Sequence, residues 1–271
     1  MKRESFGSRL GFILVSAGCA IGIGNVWKFP YICGAYGGAA FILIYLCFLV
    51  ILGIPVLVAE FAVGRGSHTS VAKCFDKLAP AGSCWKPLKF IGIIGCYMLM
   101  MFYTTVGGWM LYYCVKSLRG DFVGATPEAV TQSFSDMLGN APTMMLWMVI
   151  ICLIGFAVCF MGLQNGIEKI SKVMMSALLI IMVILAVHSV MMEGAGEGIR
   201  FYLIPDFQKI KEAGVGNVVF AALSQSFFTL SIGIGAMLIF GSYLDKSRSL
   251  TGEAVSITAV SYTHLTLPTK L

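Results

Sequence analysis

The chain has 271 residues, of which 58% are hydrophobic and only 12% are charged. Soluble domains carry about 25% charged residues, so this composition excludes a soluble fold, which could not bury so much apolar surface. The net charge of +6 does not indicate a nucleic-acid partner, because the basic residues occupy short segments between apolar runs and form no patch interleaved with aromatic residues.

Long apolar segments dominate the chain and predict helices that cross a lipid bilayer. A run of about 18 or more apolar residues is long enough to span, and membrane strands would alternate apolar and polar residues, which these segments do not. The predicted spans, in chain order, are Leu10–Val26, Gly37–Phe61, Phe90–Val115, Met144–Leu163, Val173–Met192 and Val215–Leu244. The sequence therefore predicts an all-α, polytopic membrane protein.

Lysine and arginine are distributed unevenly among the segments between the spans. With the N-terminus inside, twelve fall on the cytoplasmic side and five on the outer side, which is the asymmetry of membrane proteins. We expect a multi-pass protein of the bacterial inner membrane with a cytoplasmic N-terminus. A cleaved signal peptide is the alternative, since Ser16 to Cys19 faintly resembles a lipoprotein box. However, the apolar run continues past Cys19 and five more spans follow.

The first and sixth predicted spans are each interrupted by glycine and polar residues. Both interruptions contain Gly-Ile-Gly, at residues 22–24 and 233–235. Glycine disfavours a helix by about 1 kcal/mol relative to alanine, and unwound backbone occurs in membranes where it lines a cavity or is buried in protein. Broken helices at corresponding places in two repeats indicate a midplane solute site. Helix packing is the alternative, because Gly18 and Gly22 also form a GxxxG motif.

Three motifs resemble the neurotransmitter:sodium symporter family, which includes bacterial leucine-transporter-like proteins. They are Arg9-Leu10-Gly11-Phe12 through Gly22-Ile23-Gly24-Asn25-Val26-Trp27-Lys28-Phe29-Pro30, Gly53-Ile54-Pro55 through Glu60-Phe61-Ala62-Val63-Gly64-Arg65, and Gln225-Ser226-Phe227-Phe228-Thr229-Leu230-Ser231-Ile232-Gly233. They resemble the family's first, second and sixth helices, and the similarity runs from about Arg3 to Val260. The resemblance implies that residues 1–260 form the N-terminal part of the transmembrane domain. This part would hold the first inverted repeat of five helices, the sixth helix and the start of a seventh.

Carried over position by position, the resemblance implies an amino-acid site and two Na⁺ sites. Hard cations prefer oxygen ligands, and the implied sodium ligands are the carbonyls of Gly18, Ala20 and Ile21 with the side chains of Asn25 and Thr229. The implied substrate-binding residues are Ile23, Gly24, Leu99, Tyr103, Phe228, Thr229 and Ser231. The implied gate residues are Arg3, Phe6, Lys28, Tyr103 and Phe228. Tyr45 and Gln225 match positions linked to chloride in some members, and the sequence does not decide chloride dependence.

Three positions bear on the substrate and the gates. Amine-transporting relatives carry an aspartate at the position of Gly22; with glycine, the substrate must bring its own carboxylate, which the resemblance associates with amino acids. The implied pocket is apolar, so we expect an apolar side chain. Lys28 stands where many members have an arginine, and lysine keeps the charge but loses bidentate pairing. Phe6 stands where a tryptophan usually helps to close the inner gate.

The implied function is a sodium-coupled symporter that imports amino acids by alternating access. A proton-coupled or exchange-type permease and a non-transporting solute sensor are the alternatives. An enzyme is not expected, because no catalytic pair or metal-ligand cluster has suitable spacing. Glu60 is a functional candidate as an intramembrane carboxylate, but it lies near Arg65 and its role stays open, as does the oligomeric state.

The end of the chain departs from the membrane pattern. A further helix starts near Glu253, and residues 261–271 then continue no pattern. This tail resembles translated adapter read-through at the ends of assembled sequence fragments. We therefore expect the helix to break at Ser261 and the tail to be non-native.

Overall fold

The computed structural model describes residues 6–22 and 24–269, with side chains described as far as His264. The described part is helical and contains no strand, which confirms the all-α prediction. Its α-helices are α1 (Arg9–Ala20), α2 (Phe29–Ala35), α3 (Ala39–Phe48), α4 (Ile54–Ser67), α5 (Val71–Leu78), α6 (Leu88–Arg119), α7 (Pro127–Gly139), α8 (Ala141–Phe160), α9 (Lys169–Val190), α10 (Ala195–Leu203), α11 (Phe207–Ala213), α12 (Val215–Leu230), α13 (Ala236–Gly241) and α14 (Leu250–Thr269). The π-helical turns Gly24–Lys28, Leu49–Gly53 and Leu163–Glu168 directly precede α2, α4 and α9.

Several helical stretches are long and apolar enough to cross a membrane. Four are continuous: Ala39–Ser67, Leu88–Arg119, Ala141–Phe160 and Leu163–Val190. Two bent pairs, Arg9–Ala20 with Gly24–Ala35 and Phe207–Ala213 with Val215–Leu230, meet the same criteria together and raise the number to six. The four continuous stretches overlap the second to fifth predicted spans.

The first span is longer than predicted. The sequence placed its end at Val26, but α2 continues the helical path to Ala35. Pro30 lies in the first turn of α2, where a proline is tolerated because the N–H it lacks has no helical partner. The proline therefore starts a helix here instead of ending one.

The chain divides into two compact units, residues 1–93 with 163–271, and residues 94–162. In the first unit, α1, α3, α4, α12 and α13 enclose a core of fully buried aromatic and aliphatic side chains. Phe12, Phe41, Tyr45, Phe61 and Met237 are each at most 1% exposed. This core holds the interrupted helices in place.

The crossing of α4 and α13 depends on glycine. A β-carbon at Gly64 would overlap the backbone carbonyl of Leu238, and one at Gly241 would lie 2.7 Å from the Cα of Phe61. The two helices therefore pack backbone against backbone, as small residues permit in membrane helices. This contact fixes α13, which forms the last part of the predicted span Val215–Leu244, against α4.

The second unit contains most of α6, together with α7 and α8. At Gly108 of α6, a β-carbon would lie 2.8 Å from the backbone nitrogen of Met148 on α8, so these helices also cross closely. Leu153, Phe156 and Phe160 of α8 are exposed. Apolar exposure of this kind suits a helix that faces lipid, since lipid tails are as apolar as these side chains.

The predicted break at Ser261 is wrong for the secondary structure, because α14 runs without interruption to Thr269. Polar side chains in its second half bond to carbonyls one turn earlier: Thr263 Oγ1 donates to Ala259 O at 2.9 Å, and His264 Nδ1 lies 2.9 Å from Val260 O. These bonds give the two polar side chains partners within the helix. The assignment of residues 261–271 to a non-native tail stays a prediction.

We predict that Gly64→Ala lowers the thermal stability of the purified chain, because its methyl group would overlap the Leu238 carbonyl. Overpacking of this kind costs about 1–3 kcal/mol. The measurement is the apparent melting temperature in detergent. Gly155→Ala is the matched control, since a β-carbon there meets no atom within 4 Å. Equal melting temperatures for the two variants would contradict the close crossing.

Candidate functional site

The first half of the broken first span is α1, which ends at Ala20. Ile21 caps it by donating its N–H to the Ala17 carbonyl at 2.6 Å, and its φ of −93° and ψ of 84° depart from helical values. The last four carbonyls of a helix have no partner within it and carry the negative end of the helix dipole. The carbonyls of Gly18 and Ala20 belong to this group, and that of Ile21 directly follows it. All three are implied sodium ligands.

Helical structure resumes at the π-helical turn Gly24–Lys28, which leads into α2. The N–H of Asn25 donates to the Gly22 carbonyl at 3.0 Å. The two halves of the span are bent by 57°. The break predicted at residues 22–24 is therefore present. Ile23, an implied substrate-binding residue, lies outside the described residues.

The second break separates α12 from α13. Ser231 ends α12 in the left-handed conformation, with φ 50° and ψ 37°, and Gly233 and Gly235 follow with φ 90° and 78°. Glycine adopts positive φ without the steric cost that a side chain adds. The two glycines of the second Gly-Ile-Gly therefore suit the positive φ angles that the backbone adopts at these positions.

Glu60 of α4 bonds to this unwound backbone. Its Oε1 accepts from the N–H of Gly233 at 2.6 Å, and its Oε2 accepts from the N–H of Leu238 at 3.2 Å. The carboxylate thus satisfies N–H groups that have no helical partner, and it lies at the positive end of a helix. The intramembrane carboxylate was visible in the sequence, but its partner was not, because 173 residues separate it from Gly233.

The two breaks lie against each other in the first unit. Ser231 Oγ donates to the carbonyl of Cys19 at 2.9 Å, and Gln225 Nε2 donates to the carbonyl of Gly24 at 3.1 Å. A β-carbon at Gly24 would overlap the ring of Phe228, so the close approach requires glycine. The structure brings together three of the implied substrate-binding residues, Gly24, Phe228 and Ser231.

Asn25 and Thr229, whose side chains are the implied sodium ligands, are both buried. Asn25 Nδ2 donates to Ser261 Oγ at 3.1 Å, and Gln225 Nε2 lies 3.3 Å from the Thr229 hydroxyl. Ser261 Oγ also lies 3.5 Å from the Thr229 carbonyl oxygen. Ser261 therefore links the first and second breaks, a role that the sequence did not suggest.

Two buried amide oxygens near the breaks have no donor among the described residues, Asn25 Oδ1 and Gln225 Oε1. A buried polar atom without a partner costs about 1–3 kcal/mol, and a hard cation can satisfy an oxygen of this kind. Within the described ranges, no group of three or more His, Cys, Asp or Glu residues could hold a metal ion. The candidate ligands that the resemblance implies are neutral carbonyl, amide and hydroxyl oxygens.

Two of the implied gate residues, Lys28 and Phe6, each contact an aromatic ring. The Lys28 ammonium lies 5.1 Å from the ring centroid of Phe228, a cation–π contact worth about 0.5–2 kcal/mol. Phe6 packs edge-to-face against Phe12 with centroids 5.4 Å apart. Arg3 lies outside the described residues.

Leu99 and Tyr103 lie on α6 in the second unit. Tyr103 lines a groove of 390 Å³ between α6 and α8, together with Thr104 and Gly155. The assignment of Leu99 and Tyr103 to the substrate site stays a prediction.

Tyr45 and Gln225, the positions linked to chloride in some members, are both buried in the first unit. The ring of Tyr45 packs against Phe29 with centroids 5.1 Å apart. A role for either residue in chloride binding stays a prediction.

The sequence profile of the sodium:neurotransmitter symporter family matches residues 3–129 and 128–267. The chain belongs to this family. Its members are symporters by name, in agreement with the motifs around the two breaks.

Curated members of the family include similar sodium-dependent transporters. The chain is 36% identical over 256 residues to the sodium-dependent transporter YhdH of Bacillus subtilis, covering 94% of this chain and 56% of the relative. It is 32% identical over 263 residues to a sodium-dependent transporter of Haemophilus influenzae, covering 94% and 57%. The chain therefore spans about half the length of the curated relatives it matches.

A solved structure of the family has the same architecture. The crystal structure of MhsT in complex with L-phenylalanine superposes with a TM-score of 0.89 at 36% identity, covering 99% of this chain and 60% of that chain. This confirms the leucine-transporter-like fold, with the first inverted repeat of five helices and the sixth helix.

We predict that Glu60→Gln loosens the second break, because the neutral amide replaces a charged acceptor of two backbone bonds. Hydrogen bonds to a charged group contribute about 1.5–3 kcal/mol. Hydrogen exchange at the amides of Gly233 and Leu238 should become at least about tenfold faster. Glu212→Gln, at an exposed position of α11, is the matched control. Unchanged exchange in the Glu60 variant would contradict the role assigned to the carboxylate.

Proposed function

We propose that the protein is a sodium-coupled symporter that imports amino acids, preferentially with apolar side chains, by alternating access. The proposal is carried by the meeting of two unwound membrane helices in the first unit, through the bonds from Ser231 to Cys19 and from Gln225 to Gly24. Irregular backbone at membrane depth lines a solute cavity in transporters of this architecture.

Sodium would bind at the C-terminal end of α1. The carbonyls of Gly18, Ala20 and Ile21 supply the negative end of a helix dipole, and Asn25 Oδ1 supplies a buried oxygen without a donor. Thr229 lies in the same hydrogen-bonded cluster. Membership in a family of sodium-dependent transporters supports Na⁺ as the coupling ion.

The substrate would bind at the same break with its carboxylate toward the start of the second half-helix. The resemblance assigns the carboxylate to the N–H groups of Ile23 and Gly24, and the positive end of a helix dipole at the start of this half-helix would favour an anion. Phe228 covers Gly24 and would contact the apolar part of the substrate. The resemblance also counts Leu99 and Tyr103 of the second unit among the substrate-binding residues. The complex of the similar protein MhsT with L-phenylalanine supports an amino acid as the substrate class.

Transport would proceed by alternate opening of an outer gate at Lys28 and an inner gate at Phe6. Lys28 on Phe228 would close the outer side, and Phe6 on Tyr243, with ring centroids 5.9 Å apart, would close the inner side. We place the protein in the bacterial inner membrane with its N-terminus in the cytoplasm, on the basis of the lysine and arginine distribution. Chloride dependence and oligomeric state are not part of the proposal.

The test is uptake of labelled L-phenylalanine by vesicles that hold the complete product of the gene. An inward sodium gradient should drive accumulation above that of empty vesicles. Accumulation without sodium would favour a proton-coupled or exchange-type permease. Binding without flux would favour a solute sensor.

We predict that Asn25→Ala weakens sodium and substrate binding together, each by at least about tenfold. One ion would contact both Asn25 and the substrate carboxylate, and coupling between two ligands is reciprocal. Equilibrium binding of labelled amino acid at varied sodium concentration measures both. Asn217→Ala, at an exposed asparagine of α12, should leave both unchanged. An unaltered sodium dependence in the Asn25 variant would remove Asn25 from the ion site.

We predict that Gly22→Asp abolishes amino-acid uptake, because the added carboxylate would compete with that of the substrate for the same cation and half-helix end. Gly22→Asn is the matched control, since it adds nearly the same volume without the charge. Uptake should be lost in the aspartate variant and retained in part in the asparagine variant. Equal loss in both would show that volume, and not charge, limits this position.

A further inference from the structure

The segment between the second and third spans carries a surface that the proposed function does not use. It joins a spanning helix that ends at Ser67 to another that begins at Leu88. Both of its ends therefore lie where a helix reaches the membrane surface. The short helix α5 therefore belongs to a loop next to the membrane surface.

One face of α5 is docked onto the protein. Val71 and Cys74 are buried in a cluster with Leu238 of α13. Lys77 Nζ donates to the carbonyl of Ser67 at 2.7 Å, which ties α5 to the end of α4. The opposite face of α5, with Lys73, is exposed.

Positive charge is in excess on the exposed side. Residues 68–90 contain four lysines and one acidic residue, Asp76, so their net charge is +3. Lys89 pairs with Asp76 at 2.8 Å. In the part of the chain that the structure describes, Lys73 and Lys86 have no acidic partner, and both are exposed.

Large apolar side chains accompany these lysines. Trp85 is 61% exposed, Phe90 58% and Leu78 42%. Tryptophan is typical of the membrane–water boundary, where its ring lies among the headgroups. Exposed aromatic rings next to lysines without an acidic partner are typical of a surface that contacts lipid. Burying the rings at the lipid boundary removes apolar area from water, and the lysines attract anionic headgroups.

We propose that the segment Val71–Phe90 binds the headgroup of an anionic phospholipid. Lys73 and Lys86 supply the charge that is complementary to the lipid phosphate, and Trp85 and Phe90 lie beside its glycerol and upper acyl chain. Basic residues next to a span attract anionic lipid in this way. The proposal does not rest on amino-acid transport.

The same helix contacts the second break. The side chain of Val71 occupies the space beside Gly235, the last residue before α13, where a larger residue would carry its side chain. A β-carbon at Gly235 would lie 2.5 Å from Cγ2 of Val71. A lipid that holds α5 in place would therefore also restrict the unwound segment. Anionic lipid is then a regulator of the broken helix.

The test of binding is native mass spectrometry of the purified chain in a neutral detergent, with phosphatidylglycerol or phosphatidylcholine added. We expect preferential phosphatidylglycerol adducts, with affinity about tenfold lower in Lys73→Gln/Lys86→Gln. Lys169→Gln/Lys246→Gln removes the same charge from other exposed sites and should bind as the unmodified chain does. Equal loss in both variants, or no preference over phosphatidylcholine, would overturn the proposal. Displacement of the lipid by millimolar inorganic phosphate would also overturn it in favour of a site for soluble anions.

The test of regulation is hydrogen exchange at residues 233–238 with and without phosphatidylglycerol. The lipid should slow exchange in the unmodified chain. Val71→Ala should keep the lipid adduct but lose the effect on exchange, because the contact with Gly235 is removed. Exchange that does not respond to bound lipid in the unmodified chain would overturn the regulatory part.

Discussion

The constraint on which the rest of the structure depends is the need to satisfy unwound backbone at membrane depth. Neither lipid nor bulk water can bond to N–H and C=O groups there, and each unsatisfied group costs several kcal/mol. The second break meets this need through Glu60, and the first meets it through Gln225 on the Gly24 carbonyl. Ser231 then bonds the second break to the first. Each break is thus stabilised by groups from other helices.

This constraint explains where glycine is required. The ring of Phe228 lies directly on the backbone of Gly24. In the same way, the carbonyl of Leu238 lies directly on the backbone of Gly64. Both contacts bring the sixth span close enough to the first and second for side chains and carbonyls to bond across. A larger residue at either place would separate the breaks from the groups that satisfy them.

The sequence predicted the all-α fold and the positions of both breaks, because long apolar runs and Gly-Ile-Gly are local signals. It did not predict the partner of Glu60 or the link through Ser261, since both depend on contacts between residues far apart in the chain. It misplaced the end of the first span at Val26, because an interruption by glycine and polar residues gives no local sign that a helix resumes beyond it, as α2 does here. The break expected at Ser261 failed because the polar side chains that follow it bond within the helix.

The chemistry of the proposed site accounts for coupling without a charged side chain. The proposed sodium ligands are neutral, and the intramembrane carboxylate Glu60 is already bonded to two backbone N–H groups of the second break. A sodium ion bound alone would be a buried charge without a counter-ion, and so would a substrate carboxylate bound alone. Burying either charge without its partner costs several kcal/mol. Bound side by side at low dielectric, each lowers the cost of burying the other. With glycine at position 22, the described residues add no further carboxylate at the proposed site, and that of the substrate would neutralise the ion, so the two would bind strongly only together.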